Sequence, residues 1–180
     1  MPVNISFGDA KGITVPYPAA EFAGRVNHGF SDTRGRPDLA ATIAEGTASR
    51  ALRNLLVALA QPGAKFFSVG CDLGAYEEKP APGKILQVFG GYLQIMAADY
   101  ANTEAACYQA AAERIGAGAR EEVEKDAWDI KFALKDVRFE LDGFGKITPS
   151  LDIWFYAYGL TKAAATASRE RLLRAIAAGL

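Results

Sequence analysis

The chain has 180 residues, of which half are apolar and 23% are charged, and its formal net charge at pH 7 is −1. A chain of this length and composition can bury its own core, so we expect a single folded domain over residues 1–180. With so little net charge the protein has no general attraction to nucleic acid or to anionic membranes, and no run of about 18 apolar residues could span a bilayer. Neither nucleic acid nor a membrane is expected as a partner.

The few cysteines and histidines limit the chemistry that the chain can perform. Cys71 and Cys107 form no C-x-x-C pair, and His28 is the one histidine. This pattern fits neither a disulfide framework nor a structural zinc site, so we predict no metal and no cofactor. Because the first residues also lack the basic and apolar regions of a secretory signal, we expect the reducing environment of the cytoplasm.

The N-terminal part of the chain begins with a weak hairpin signal and continues into a long loop. The segments VNISF and GITVPY flank the turn-forming residues GDAK. Residues 17–37 then show neither helical nor strand periodicity and are interrupted by proline and glycine. Loops of this length are uncommon in compact domains and are often functional, so residues 17–37 are a candidate site region.

Three helices are predicted from the spacing of apolar residues. The first follows Asp38, which we predict to be its N-cap, and it ends at Pro62-Gly63. Thr103 is the predicted cap of an alanine-rich second helix, and Thr161 that of the last.

Two predicted hairpins supply four long strands. The first strand, KFFSVGCDLGAY, alternates with period two, which places Cys71 on the same face as Phe67 and Val69. The second, ILQVFGGYLQIMA, carries a central Gly90-Gly91 that predicts a bulge or a bend. The third, WDIKFALKDVRFELDG, changes parity near Lys135-Asp136, which predicts another bulge, and ITPSLDIWFYAYG is the fourth.

The order of elements is therefore ββαββαββα, with strands joined in pairs by short turns. Short connections imply antiparallel pairing. We predict an α+β fold in which three helices pack on one curved antiparallel sheet of about six strands.

Cys71 is the most conspicuous candidate nucleophile, but its position favours a structural role. Its predicted face is apolar, and free cysteine is among the most buried residue types. The neighbouring Asp72 would raise the pKa of the thiol, whereas a nucleophile needs a lowered pKa. We predict that Cys71 belongs to the core.

The opposite face of the sheet is a better candidate site. Asp72 on the first long strand is predicted to face the same side as Asp152, Trp154, Tyr156 and Tyr158 on the last. Aromatic rings that carry polar groups suit a protein interface or a small-molecule pocket. A further alternative is that a helix or the N-terminal hairpin covers this face.

The long loop adds charged groups that could bind a ligand. His28, Arg34 and Arg36 lie within GRVNHGFSDTRGRPD, and the two arginines flank a glycine. Two guanidinium groups so placed could bind a phosphate or a carboxylate. Alternatively, they pair with the aspartates of the loop itself.

These features lead to two hypotheses of function. In the first, a non-catalytic homodimer binds a protein partner or a small ligand through the aromatic sheet face of Trp154, Tyr156 and Tyr158. In the second, the protein is an enzyme or a sensor of small molecules, with its site between the sheet and the closing loop. The site residues of this second hypothesis are Asp72, Tyr92, Asp152 and Tyr156 from the sheet and His28, Arg34 and Arg36 from the loop. The sequence leans toward the first, because it contains no recognisable catalytic motif.

Overall fold

A computed structural model describes residues 5–7, 13–22, 24–123 and 127–180. The described strands are β1 (Ile5–Phe7), β2 (Ile13–Val15), β3 (Ala20–Phe22), β4 (Arg25–Asn27), β5 (Phe66–Ala81), β6 (Lys84–Ala97), β7 (Trp128–Phe139) and β8 (Lys146–Gly159). The described α-helices are α1 (Pro37–Ala40), α2 (Arg50–Leu59), α3 (Ala105–Glu122) and α4 (Lys162–Gly179). Among these described helices, none is both long and apolar enough to cross a membrane.

One curved sheet organises the fold, with the strand order β1-β7-β8-β6-β5. The pairs β5/β6, β6/β8 and β7/β8 are antiparallel, as predicted, and the α+β class is confirmed. The predicted order of elements holds from β5 to α4, but the predicted loop contains β3 and β4, which form a separate two-stranded antiparallel sheet. The prediction of an N-terminal hairpin is wrong, because β1 and β2 do not pair with each other. Each of them pairs in parallel with β7, which makes the sheet mixed. Its proposed turn, GDAK, lies outside the described residues.

The first predicted helix is broken into three pieces, which is why the described residues form four α-helices and not three. A 3-10 turn at Ala44–Ala48 separates α1 from α2. The new N-cap is Ser49, whose Oγ accepts a hydrogen bond from the Leu52 N–H at 3.1 Å and donates one to Glu170 at 2.6 Å. Asp38 is therefore not a cap, since α1 already begins at Pro37.

Of the other two predicted caps, one is confirmed and one is wrong. The Thr161 Oγ1 accepts a hydrogen bond from the Ala164 N–H at 3.1 Å at the start of α4. Thr103 instead donates its hydroxyl proton to the Asp99 carbonyl at 2.6 Å, and α3 begins only after Glu104.

The sheet carries a hydrophobic core on each face. The larger core lies under α2, α3 and α4 and includes Leu93, Ile153 and Phe155. The smaller core lies on the opposite face, where it contains Val15, Phe67, Val69, Met96, Val137 and Phe139. Because of this second core, several apolar residues on the face away from the helices are also buried, among them Phe67 and Phe139.

This second core corrects the predicted parity of β5. The register against β6 shifts between Ser68 and Gly70, so Val69 is an extra residue in the strand. Phe67 and Val69 consequently face the smaller core, whereas Cys71 packs against the larger one. The prediction that these three residues share a face is wrong.

The two bulges predicted from the sequence are not present. The register of β7 against β8 runs without interruption past Lys135-Asp136, because Phe139 enters the smaller core and need not turn toward the helices. The β6 register is also continuous through Gly90-Gly91. The glycines serve close packing instead, since a Cβ on Gly91 would collide with the carbonyl oxygen of Asp72 on β5.

Candidate functional site

A cavity of about 550 Å³ lies at the outer edge of β5, the last strand of the sheet. Three parts of the chain enclose it: residues of the long loop between 17 and 33, the helices α1 and α2 with the turn between them, and β5 at residues 68–72, with Tyr92 added from β6. Its volume falls within the range of small-molecule sites, which is about 300–1,000 Å³.

The bulge in β5 shapes the inner wall of this cavity. Because β5 is an edge strand, the carbonyl of Val69 is free to accept a hydrogen bond of 2.9 Å from the Tyr17 hydroxyl. The next residue is Gly70, where a Cβ would stand 2.9 Å from the Tyr17 hydroxyl oxygen and 3.5 Å from that of Tyr92. Two phenol groups therefore converge on a point that only glycine leaves open.

The loop that forms the outer wall is held by its own backbone. The Phe30 N–H donates to the Tyr17 carbonyl at 3.0 Å, and the two rings meet edge to face with centroids 6.2 Å apart. Gly29 has a φ of +80°, and a Cβ there would lie 2.7 Å from the Ala19 nitrogen. Glycine is thus required at this turn, which brings Asn27 and His28 to the cavity.

The two phenols and the thiol of the inner wall are neutral at pH 7, and burial favours their neutral forms further. It raises the pKa of the Tyr17 and Tyr92 hydroxyls and raises that of the Cys71 thiol to about 12. The carboxylate of Glu45, which also lines the cavity, raises the pKa of Tyr17 and Cys71 further. The Tyr17 hydroxyl donates its proton to the Val69 carbonyl, and the Tyr92 hydroxyl is a neutral phenol that can donate to a ligand.

Cys71 lines the cavity while it packs against the larger core, and it is half-buried. We expect it to react with iodoacetamide at pH 7.5 at least about a hundredfold more slowly than the exposed Cys107, because the thiolate is the reacting species. Peptide mass spectrometry over a time course measures both rates in one sample. Equal rates, or a faster Cys71, would show that the thiol is activated.

Three of the predicted site residues meet in the cavity: His28, Asp72 and Tyr92. They come from the loop, from β5 and from β6, as the second hypothesis requires. The Asp72 carboxylate accepts a hydrogen bond of 2.8 Å from the Leu73 N–H and is exposed.

Arg34 and Arg36 do not line the cavity. The Arg34 guanidinium pairs with Asp32 at 2.7 Å and with Asp142 at 2.6 Å, and it lies over the ring of Phe67 at 5.2 Å. The alternative in which an arginine pairs with an aspartate of the loop itself is thus correct for Arg34. Its contact with the Phe67 ring also connects the loop to the smaller core. Arg36 is exposed.

Asp152 is on the predicted sheet face but is only 2% exposed. It forms an ion pair with Lys135, while its Oδ1 makes no hydrogen bond to any described group. Burial raises its pKa, and the lysine partly opposes that effect. Asp152 does not line the cavity, so the structure does not place it in one site with His28.

The remaining aromatic residues form an open sheet face on the side away from the helices. Trp154 is 38% exposed, and its ring lies 5.2 Å from that of Tyr92. The Lys131 ammonium lies 5.7 Å above the Tyr156 ring, and burial raises the pKa of the neighbouring Tyr158 to about 12. The alternative in which a helix covers this face is wrong, because the packed helices share the other face.

Several residues of the cavity were not predicted as site residues. The most important are Tyr17 and Glu45, together with the small polar residues Ser31, Thr33 and Thr42. Tyr17 was the first residue of the candidate loop, and that loop was the available signal. Glu45 carried no signal, because it lay inside a predicted continuous helix.

Comparisons of the chain with family models, with curated proteins and with solved structures gave no match. Across the described ranges, no group of three or more histidine, cysteine, aspartate or glutamate side chains is placed to hold a metal ion.

Proposed function

We propose that this protein binds a small molecule in the cavity at the edge of β5, without catalysing its conversion. The observation that carries the proposal is the closing of the loop over a glycine-lined wall, where the Tyr17 and Tyr92 hydroxyls converge beside Gly70. Polar groups fixed at defined points beside apolar surface are typical of small-molecule sites, and the wall of this cavity contains both. The site is the one that the second hypothesis placed between sheet and loop.

A binding role fits the electrostatics of the inner wall better than catalysis does. Nucleophiles and general bases need pKa values near or below the working pH, whereas burial moves Cys71, Tyr17 and Tyr92 the other way. A reducing cytoplasmic location belongs to the same proposal and is supported by the free thiols of Cys71 and Cys107.

Two tryptophan substitutions on the same 3-10 turn test this proposal. Ala44 lines the cavity, whereas Ala48 does not, and both are exposed. In ligand-observed NMR with a fragment mixture, we expect fragments that bind the wild type and Ala48→Trp but lose binding to Ala44→Trp. If no fragment binds, or if Ala44→Trp binds the same fragments equally well, the proposal is wrong.

A second proposal concerns the open aromatic face, which we propose as the contact between two copies of the chain. The face presents Trp154, Tyr156 and Tyr158, the residue types enriched in interfaces. It also carries Asp129 and Lys131, whose charged groups are 3.8 Å apart on one strand. A two-fold axis can place the Asp129 of one copy opposite the Lys131 of the other, so that unlike charges meet.

The mass of the protein in solution tests this second proposal. Sedimentation equilibrium is expected to give a dimer for the wild type and a monomer for Trp154→Asp. The matched control is Ile147→Asp on the same strand, because Ile147 is 61% exposed but has the opposite parity. If the wild type is a monomer, or if the Trp154→Asp variant remains a dimer, the aromatic face is not the contact between two copies.

A further inference from the structure

We infer that the cavity selects small organic cations, in which an ammonium group is attached to an apolar body. This inference rests on the proposed function, and it adds the chemical class of the ligand. It depends on three features of the wall: its charge, an unpaired carboxylate, and the aromatic and carbonyl groups of Tyr17, Tyr92 and Val69.

The first feature is the sign of the charge. Glu45 and Asp72 are carboxylates of the cavity wall, and the lining contributed by described residues contains no lysine or arginine. Arg34 of the loop is held by two aspartates and lies over the rings of Phe67 and Phe139. An anionic ligand would therefore meet two carboxylates, with the His28 imidazole as the one basic side chain of the described lining, and this balance disfavours it.

The second feature is the state of the Glu45 carboxylate. Glu45 is half-buried on the 3-10 turn, and within the described part of the chain no hydrogen bond or ion pair engages it. The other lining carboxylate, that of Asp72, already accepts from the Leu73 N–H. Glu45 thus supplies an acceptor with unused capacity, and a hydrogen bond from an ammonium group to a carboxylate is roughly twice as strong as one between neutral groups.

The third feature is the wall formed by β5 and β6 with Tyr17. The Tyr17 and Tyr92 side chains line it, and their hydroxyl oxygens and the Val69 carbonyl can accept the protons of a cation, which aromatic rings also attract. Both phenols are neutral at pH 7, and burial raises their pKa further, so they present no competing negative charge. Leu39, Ile43 and Leu56 provide apolar surface for the rest of the ligand.

Three probes with the same phenylethyl-type skeleton separate charge from shape: 2-phenylethylammonium, 2-phenylethanol and phenylacetate. Titration calorimetry at pH 7 is expected to give the tightest binding for the ammonium, at least about tenfold tighter than for the alcohol, and none for the carboxylate. In Glu45→Gln the ammonium should lose about tenfold in affinity, while the alcohol should be unchanged. Glu113→Gln, an exposed glutamate on α3, is the matched control and should bind like the wild type.

The outcomes distinguish this inference from the proposed function. If the alcohol binds as tightly as the ammonium, or if Glu45→Gln affects both probes equally, the cation inference is overturned while the cavity remains a binding site. If phenylacetate binds best, the sign of the preference is wrong. If none of the three probes binds the wild type, the inference fails, and the tryptophan variants then decide separately whether the cavity binds fragments.

Discussion

Replacement of Gly91 by alanine is expected to lower the free energy of unfolding by about 3 kcal/mol, at the upper end of the cost of overpacking. The added methyl group would collide with the carbonyl oxygen of Asp72, and a backbone atom of a paired strand cannot move aside as a side chain can. β5 and β6 would have to separate at the centre of their hairpin. Since the same part of β5 forms the cavity wall, ligand binding should weaken as well.

Gly74→Ala on the same hairpin is the matched control. A Cβ at Gly74 meets no atom within 4 Å, and its backbone has an ordinary negative φ. Its stability should stay within about 0.5 kcal/mol of the wild type, or rise slightly through the lower entropy of the unfolded chain. Urea unfolding of both variants measures the difference, and equal stabilities would contradict the packing assigned to Gly91.

Lys135→Met is expected to lower the free energy of unfolding by about 3 kcal/mol at pH 7, because it leaves the buried Asp152 carboxylate without its ion-pair partner. The matched control is Lys131→Met on the same strand. Its pair with Asp129 spans 3.8 Å between exposed side chains, so its loss should cost less than about 0.5 kcal/mol.

The pH dependence of Lys135→Met gives a second readout. Burial already raises the folded-state pKa of Asp152 above its unfolded value, and loss of Lys135 raises it further. A raised carboxyl pKa means that the folded state binds the proton more tightly, so the destabilisation grows as the pH rises above about 4 and shrinks as it falls. Urea unfolding should show a smaller deficit at pH 5 than at pH 7. A deficit that is equal at both values, or larger at pH 5, would contradict the assignment.

The long strands and their order could be predicted from the sequence, because each strand is a sustained apolar pattern bounded by turn residues. The faces of β8 were also correct, since Ile153 and Phe155 are buried and Trp154 is exposed. The bulge at Val69 could not be predicted. An inserted apolar residue leaves the local alternation intact, and only the register against β6 shows the shift.

The errors in β7 have one physical cause. Parity was interpreted as if the sheet had a single core, so Phe139 seemed to require a bulge to turn inward. The smaller core removes that requirement. It is built from β2, the β5/β6 hairpin and β7, which are distant from one another in sequence. Its existence depends on long-range packing that a local pattern does not contain.

The candidate site was predicted in part. The irregular composition of residues 17–37 identified the loop, and His28, Asp72 and Tyr92 meet beneath it. The arginines were misleading, because residue type alone does not show whether a guanidinium is already paired, as that of Arg34 is. Glu45 lies at the cavity because the predicted helix is interrupted before Ser49, which is the N-cap of α2. The leucine spacing, which continues across this position, does not indicate the interruption.

Glycine amides provide the most direct measurement of where a ligand binds. Gly29 and Gly70 line the cavity, whereas Gly74 and Gly90 are paired with each other on the open aromatic face, next to Tyr156. The protein is labelled with ¹⁵N-glycine and titrated with 2-phenylethylammonium and, separately, with 2-phenylethanol. We expect the amide signals of Gly29 and Gly70 to move in a saturable way, while those of Gly74 and Gly90 stay in place. Movement of Gly74 and Gly90 alone, or of none of the four, would contradict a binding site at the edge of β5.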